Sequence, residues 1–126
     1  MSKIALVLED EVLIAISLED ALLNAGYAVA GPFTHCADAL TWLEGNTPDV
    51  GLLDLQLADG PCIAVAEILT ARRVPIVFFS GLGPGHAEAR ALFEGAPWFE
   101  KPANLEDVMR SITSLTNREQ PPPSAA

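Results

Sequence analysis

Positive charge is in short supply in this sequence. Seven Lys and Arg face 17 Asp and Glu, for a formal net charge of -10 over 126 residues. That shortage disfavours direct binding to nucleic acid or to an anionic membrane, both of which need a basic surface. It suits a soluble protein that meets cations or basic partners, with most of its acids on solvated helix faces. Cysteine is scarcer still, at two residues. Cys36 and Cys62 have neither C-x-x-C spacing nor a histidine pattern for zinc, and the adjacent His35 makes a poor clamp with Cys36. Two buried, reduced thiols in a cytosolic protein are the expectation. No apolar run reaches the roughly 20 residues of a membrane span. No signal peptide is visible, because the first strand-like run begins within a few residues of Met1. His35 and His86 read as surface residues.

Apolar residues are plentiful, at 50% of the chain, enough for one domain with a real core. Lys3 to Leu8 is a short continuous apolar run, as in a strand covered on both faces. A helical pattern follows with Leu13, Ile14, Ile16, Leu18, Leu22 and Leu23, stopping near Gly26. Tyr27 to Ala30 reads as a second strand closed by Gly31-Pro32, and Thr34 to Glu44 as a second helix. Asp49 to Gln56 reads as a third, buried strand that ends on the acid Asp54, with Val50, Leu52 and Leu53 as its apolar body. A third helix spans about Cys62 to Ala71, with Pro61 suited to its start and Arg72 and Arg73 placed to complement its dipole. Val74 to Phe79 is a fourth strand, residues 82–85 a flexible link, and His86 to Phe93 a weak fourth helix. Gly95 to Glu100 is a short fifth strand. Asn104 caps a last helix whose stripe is Leu105, Val108, Met109, Ile112 and Leu115. One domain over residues 1–116 is expected, with a disordered Pro-rich tail over 117–126. Five strand-helix alternations without a repeat imply an α/β fold: a doubly wound, five-stranded parallel sheet, order 2-1-3-4-5, of the flavodoxin-like kind.

Polar groups follow four of these apolar strands: Glu9 and Asp10 the first, Asp54 the third, Ser80 the fourth, Lys101 the fifth. A parallel sheet brings all four ends to one edge, where open α/β sheets bind ligands. With the first and third strands adjacent, three carboxylates crowd together. At about 5 Å and an effective dielectric of about 20, each pair repels by about 3 kcal/mol. Lys101 or a hard divalent cation must offset this, and oxygen-only ligands favour Mg2+. Each group alone has a bland explanation: Glu9 to Glu11 as acids at a helix start, Asp54 as a loop acid, Ser80-Gly81 as a turn, Lys101 as a solvent-facing lysine. Their joint placement favours a functional pocket.

The set Leu8-Glu9-Asp10-Glu11, Leu52-Leu53-Asp54-Leu55, Ser80-Gly81 and Lys101-Pro102 resembles the receiver domain of two-component response regulators, over roughly Lys3 to Leu115. The resemblance implies that Asp54 accepts a phosphoryl group. It implies Mg2+ held by Asp10, Asp54 and the backbone carbonyl of Gln56, with Glu9 acting through water. Ser80 would hydrogen-bond a phosphoryl oxygen, Lys101 would pair with the phosphoryl group, and the Lys101-Pro102 bond would be cis. Ser80 and Trp98 occupy the switch positions, with Trp98 where Tyr or Phe is more usual and Glu9 where Asp is commoner. Phe78-Phe79-Ser80-Gly81-Leu82, with Pro97 four before Lys101, loosely resembles a Phe-Ala-Thr-Gly-Tyr-type subgroup of stand-alone receivers. The implied donor is a histidine kinase or histidine phosphotransfer protein. The implied setting is cytoplasmic, as a monomer or weak homodimer without an enzyme's turnover. With no output module following, output would run through an unnamed partner protein or by phosphate shuttling.

Two rivals share the fold type. A metal-dependent phosphatase would want an acid two residues past its nucleophile, where Gln56 stands, and usually a cap module. A flavin carrier would want a Ser/Thr-rich phosphate cradle after the first strand, which is acidic here.

Overall fold

The architecture comes from a computed structural model that describes residues 2–81 and 86–118. The elements in chain order are β1 (Ile4–Leu8), α1 (Val12–Asn24), β2 (Ala28–Phe33), α2 (Cys36–Leu43), β3 (Val50–Leu53), β4 (Gln56–Leu57), β5 (Gly60–Pro61), α3 (Ala64–Ala71), β6 (Ile76–Ser80), α4 (His86–Leu92), β7 (Trp98–Glu100) and α5 (Leu105–Arg118). The main sheet is parallel, in the order β2-β1-β3-β6-β7. Setting aside the small β4-β5 hairpin, this is the expected 2-1-3-4-5 order. The link expected at residues 82–85 and the tail from residue 119 lie outside the described residues, while Asn117 and Arg118 continue α5.

Strand periodicity explains the two cores. Side chains two apart on a strand share a face. Leu6, Leu8, Leu53 and Phe78 turn to one side and pack with Ala39 and Leu43 of α2, Val65 and Leu69 of α3, and Ala89 of α4. Ala5, Val7, Leu52 and Val77 turn to the other and pack with Leu18 and Leu22 of α1 and with Val108 and Ile112 of α5. Each fully buried Leu or Ile is stabilised by about 1.5–3 kcal/mol of apolar transfer. The apolar pattern of α1 is wider than this face needs. Leu18 and Leu22 are buried, but Val12, Leu13, Ile16 and Leu23 stay exposed, Leu13 at 81%.

Several local expectations are corrected. Strand β2 does not close at Gly31-Pro32 but runs through a cis Gly31-Pro32 bond to Phe33. Pro61 does not start α3; it pairs with Gln56 in a two-stranded hairpin. Arg72 does not serve its own helix end. Its guanidinium donates to Leu43 O (2.9 Å), Asn46 O (2.8 Å) and Thr47 Oγ1 (3.0 Å), satisfying carbonyls at the end of α2. Cys36 and Cys62 are not free thiols. They form a disulfide across Cα atoms 5.5 Å apart, a contact that 26 residues of separation hid from the sequence. Beside it, Asp59 in the hairpin turn accepts the N–H groups of Cys36 (2.7 Å) and Ala37 (3.2 Å), capping α2. The backbone N–H of Cys36 is the largest influence holding the Asp59 carboxyl below its ordinary range.

Gly31 sets how closely β2 can approach β1. Its φ is +100°, and a Cβ there would stand 2.6 Å from Phe33 N and 2.7 Å from Val7 O. Those are backbone atoms, which cannot swing aside. The β1-β2 register shifts between Leu6 and Leu8, and Phe33 O then accepts the Glu9 N–H at 3.0 Å. Gly31→Ala is therefore expected to lower unfolding stability by about 1–3 kcal/mol in urea titration. Gly45→Ala, with open space around the added carbon, is the control.

Candidate functional site

The carboxyl ends of β1, β3, β6 and β7 deliver Glu9, Asp54, Ser80 and Lys101 to one edge of the sheet. Backbone ladders fix them there: Asp54 N–H donates to Leu8 O at 3.0 Å and Lys101 N–H to Ser80 O at 3.1 Å. The Lys101-Pro102 bond is cis, as the resemblance implied. All four side chains are buried or nearly so; Glu9 is wholly inaccessible and Asp54 is 4% exposed.

One ammonium group organises the cluster. Lys101 Nζ donates to Asp54 Oδ2 (2.8 Å), to Glu9 Oε2 (2.8 Å) and to Glu11 Oε2 (2.9 Å). The other Asp54 oxygen, Oδ1, accepts from Ser80 Oγ and from the Gln56 N–H, both at 3.0 Å. Glu11 N–H donates to Glu9 Oε2 at 3.0 Å. Glu9 Oε1 lies 2.8 Å from Nζ yet has no hydrogen-bond partner of its own. Burial acts on Glu9 most strongly and raises its pKa, against the lowering effect of Lys101. Burial alone would push Lys101 down; its bonds to Asp54, Glu9 and Glu11 outweigh that and hold it above its ordinary value.

Asp10 completes the group. One oxygen from each of Glu9, Asp10 and Asp54 lies within 4.8 Å of the others, an all-oxygen donor set suited to a hard cation. An open cleft of about 580 Å3 reaches these groups, lined by Asp10, Glu11, Ile14, Asp54, Gln56 and Lys101 among others. The acids do more than precede α1, because Glu9 and Glu11 both accept from Lys101. The cap residue Glu11 makes no side-chain capping bond, and the first turn of α1 holds no acid. Glu11 is the member that sequence reasoning passed over. Its place in the Leu8-Glu9-Asp10-Glu11 run was visible, but nothing there showed its side chain turning to Lys101.

Comparison with known proteins now decides the family. The sequence pattern described as "Response regulator receiver domain" matches residues 5–113. The chain belongs to the response regulator receiver domain family. A curated relative is the transcriptional regulatory protein PdtaR of Mycobacterium tuberculosis, in strains CDC 1551 and H37Rv. It is 29% identical over 115 residues, covering 90% of this chain and 56% of that protein. The chain thus spans about half the length of the curated relatives it matches. Among solved structures, a CheY-like receiver domain protein from Methanospirillum hungatei superposes with a TM-score of 0.81 at 21% identity, over 94% of this chain and 97% of that one. The non-phosphorylated HemR receiver domain from Leptospira biflexa gives 0.80 at 22%, over 96% and 99%. At these identities the likeness is one of fold.

Trp98 of the receiver domain is held rather than loose. Its indole stacks on Phe78 at 4.1 Å between ring centroids and donates from Nε1 to Phe93 O at 3.0 Å. His86, at the start of α4, meets the indole edge-on at 5.6 Å, and Arg90 lies 5.5 Å over it. His86 is thus half-buried against Trp98, not a plain surface residue. His35 is exposed, as expected.

Lys101→Met removes the cation from buried carboxylates and is expected to cost about 3–5 kcal/mol of stability at pH 7. Because the Glu9 pKa is raised in the folded state, its contribution falls as pH rises from its ordinary 4.5 through the raised value. The variant's deficit should therefore shrink on acidification toward pH 5. In wild type the Lys101 contribution is complete below its ordinary 10.5 and is lost only as pH climbs through its raised folded value. Denaturant titrations at pH 5, 7 and 9 check the Glu9 sign and the absence of any Lys101 loss up to pH 9; a deficit independent of pH would contradict the assignment.

Proposed function

We propose that Asp54 accepts a phosphoryl group from a histidine kinase or histidine phosphotransfer protein, in a Mg2+-dependent step. The observation that carries this is the convergence of Ser80 Oγ and Lys101 Nζ on the two Asp54 oxygens, at the floor of an open cleft. In the transfer, the donor's N–P bond breaks as an Asp54 O–P bond forms, and the imidazole leaves. Such a transfer needs in-line placement and charge neutralisation more than it needs a base. Gln56 N–H holds Asp54 oriented, Lys101 pairs with the phosphoryl oxygens, and Ser80 turns from Asp54 to donate to one of them.

The residues fit a divalent cation: one oxygen from each of three carboxylates lies within 4.8 Å of the others, an all-oxygen donor set. Asp10, Asp54 and the Gln56 backbone carbonyl would hold Mg2+, with Glu9 acting through water. When bound, Mg2+ supplies neutralisation of the phosphoryl oxygens.

The protein donor approaches over the start of α1. Ile14 lines the cleft, and the exposed Val12, Leu13 and Ile16 continue from its rim as an apolar face. Output runs through the surface of α4, β7 and α5 toward a partner protein, or the domain shuttles phosphate. Trp98, tied to Phe78 and Phe93, resists the aromatic movement that would accompany the Ser80 turn. The setting is cytoplasmic, and no helix among the described residues is long and apolar enough to cross a membrane. Chemistry is confined to the domain's own phosphorylation and dephosphorylation, with the domain a monomer or weak homodimer.

Acetyl phosphate with Mg2+ should add one phosphoryl group, read by intact mass, to wild type and none to Asp54→Asn. Equal labelling of both would refute the assignment. Leu13→Asp should leave labelling by acetyl phosphate unchanged while slowing transfer from a phosphorylated histidine phosphotransfer protein by about tenfold, equivalent to roughly 1.4 kcal/mol of docking energy.

A further inference from the structure

The disulfide and the phosphoacceptor share one loop. Residues 54–62 leave β3 at Asp54, turn through the β4-β5 hairpin and return to Cys62, whose N–H donates to Leu55 O at 2.8 Å. Within that loop Gln56 N–H orients Asp54 Oδ1. At its far end the loop is fastened to the start of α2 by three hydrogen bonds: Ala58 N–H to Thr34 O at 2.9 Å, and the two N–H groups of Cys36 and Ala37 to Asp59. The Cys36-Cys62 bond adds a covalent tie between the same two pieces. Its sulfurs differ in access. Cys62 is buried at 1% exposure, whereas Cys36 is partly exposed in the first turn of α2. Its greater access makes Cys36 the cysteine more open to exchange from solvent.

We propose that Cys36 and Cys62 form a reversible redox site, exchanging with low-molecular-weight disulfides, that tightens the Asp54-Gln56 loop when bridged and loosens it when reduced. This rests on the phosphoacceptor reading and on its cytoplasmic setting, where a disulfide is typically transient and redox-sensing rather than structural. In the forward exchange the Cys36 thiolate attacks one sulfur of glutathione disulfide and expels a glutathione thiolate. The Cys62 thiolate then attacks the Cys36 sulfur of the mixed disulfide and expels the second. Two protein thiols are oxidised, one small disulfide is reduced to two thiols, and the two cysteine protons pass to the departing thiolates. The consequence reaches the site through Gln56. Its backbone both orients Asp54 and is proposed to hold Mg2+, so freeing the loop widens the range of positions both groups sample. Asp59 keeps α2 capped in either state, so the fold persists while the loop relaxes.

The test uses the full chain, oxidised with glutathione disulfide or reduced with dithiothreitol, beside a Cys36→Ser/Cys62→Ser variant. Alkylation and intact mass report the bridge, amide hydrogen exchange over residues 55–61 reports the loop, and isothermal titration calorimetry with Mg2+ reports the site. The oxidised wild type should exchange more slowly over the loop and bind Mg2+ roughly tenfold more tightly than the reduced form, the low end of what loosening an outer shell costs. The Ser variant should match the reduced form under both conditions. A bridge that glutathione disulfide fails to form, or equal loop exchange and equal Mg2+ affinity in the two states, overturns the proposal while leaving Asp54 phosphorylation standing. Absence of Mg2+ binding in every form overturns the phosphoacceptor reading, and the coupling with it.

Discussion

A single ammonium group among four acids is the constraint around which this domain is arranged. Lys101 reaches Asp54, Glu9 and Glu11 at once, and Glu9 is wholly buried. Without a cation there, carboxylates on adjacent strands would repel by several kcal/mol in total, a large part of the stability of a small domain. The sheet brings the acids together, and the lysine at the end of β7 makes that approach tolerable. The same lysine leaves the cluster still net negative, because Glu9, Asp10, Glu11 and Asp54 outnumber it. That residual negative charge suits a second positive charge among the same oxygens.

The elements around the site divide into rigid and adjustable parts. Strands β1, β3 and β6 are packed on both faces, so Glu9, Asp54 and Ser80 are presented from fixed backbone. Gly31 serves this rigidity, because only a residue without Cβ fits where β2 crosses Val7 and Phe33 closely enough for Phe33 O to hold Glu9 in place. The loop after Asp54 is different. It has a two-residue hairpin, a handful of hydrogen bonds to α2, and the disulfide. The contrast is between side chains presented from sheet strands and a loop anchored by the buried Leu55, Leu57 and Cys62 and by its ties to the start of α2.

Trp98 shows how a substitution in a familiar position changes what can move. An indole has more area to stack and a donor to satisfy. Here it uses both, lying on Phe78 and bonding to Phe93 O. Those contacts tie β7 to α4 and to the residues that follow it.

By itself the sequence determined the fold class and most of the site. Alternating apolar strands and amphipathic helices admit few topologies, and parallel strands place Glu9, Asp10, Asp54, Ser80 and Lys101 on one edge whatever the details of packing. Local signals were also legible where the chemistry is local, as with Asn104, whose side chain accepts the Glu106 N–H at 2.8 Å and caps α5. Only the tertiary structure decided what depends on distant approach. It joined Cys36 to Cys62, sent Arg72 to the end of another helix, turned Glu11 onto Lys101, and left Leu13 and Ile16 outside the core. The physical reason is common to all four. Periodicity states which face a residue occupies, but side chains choose partners by through-space distance, which is settled only when separate elements pack.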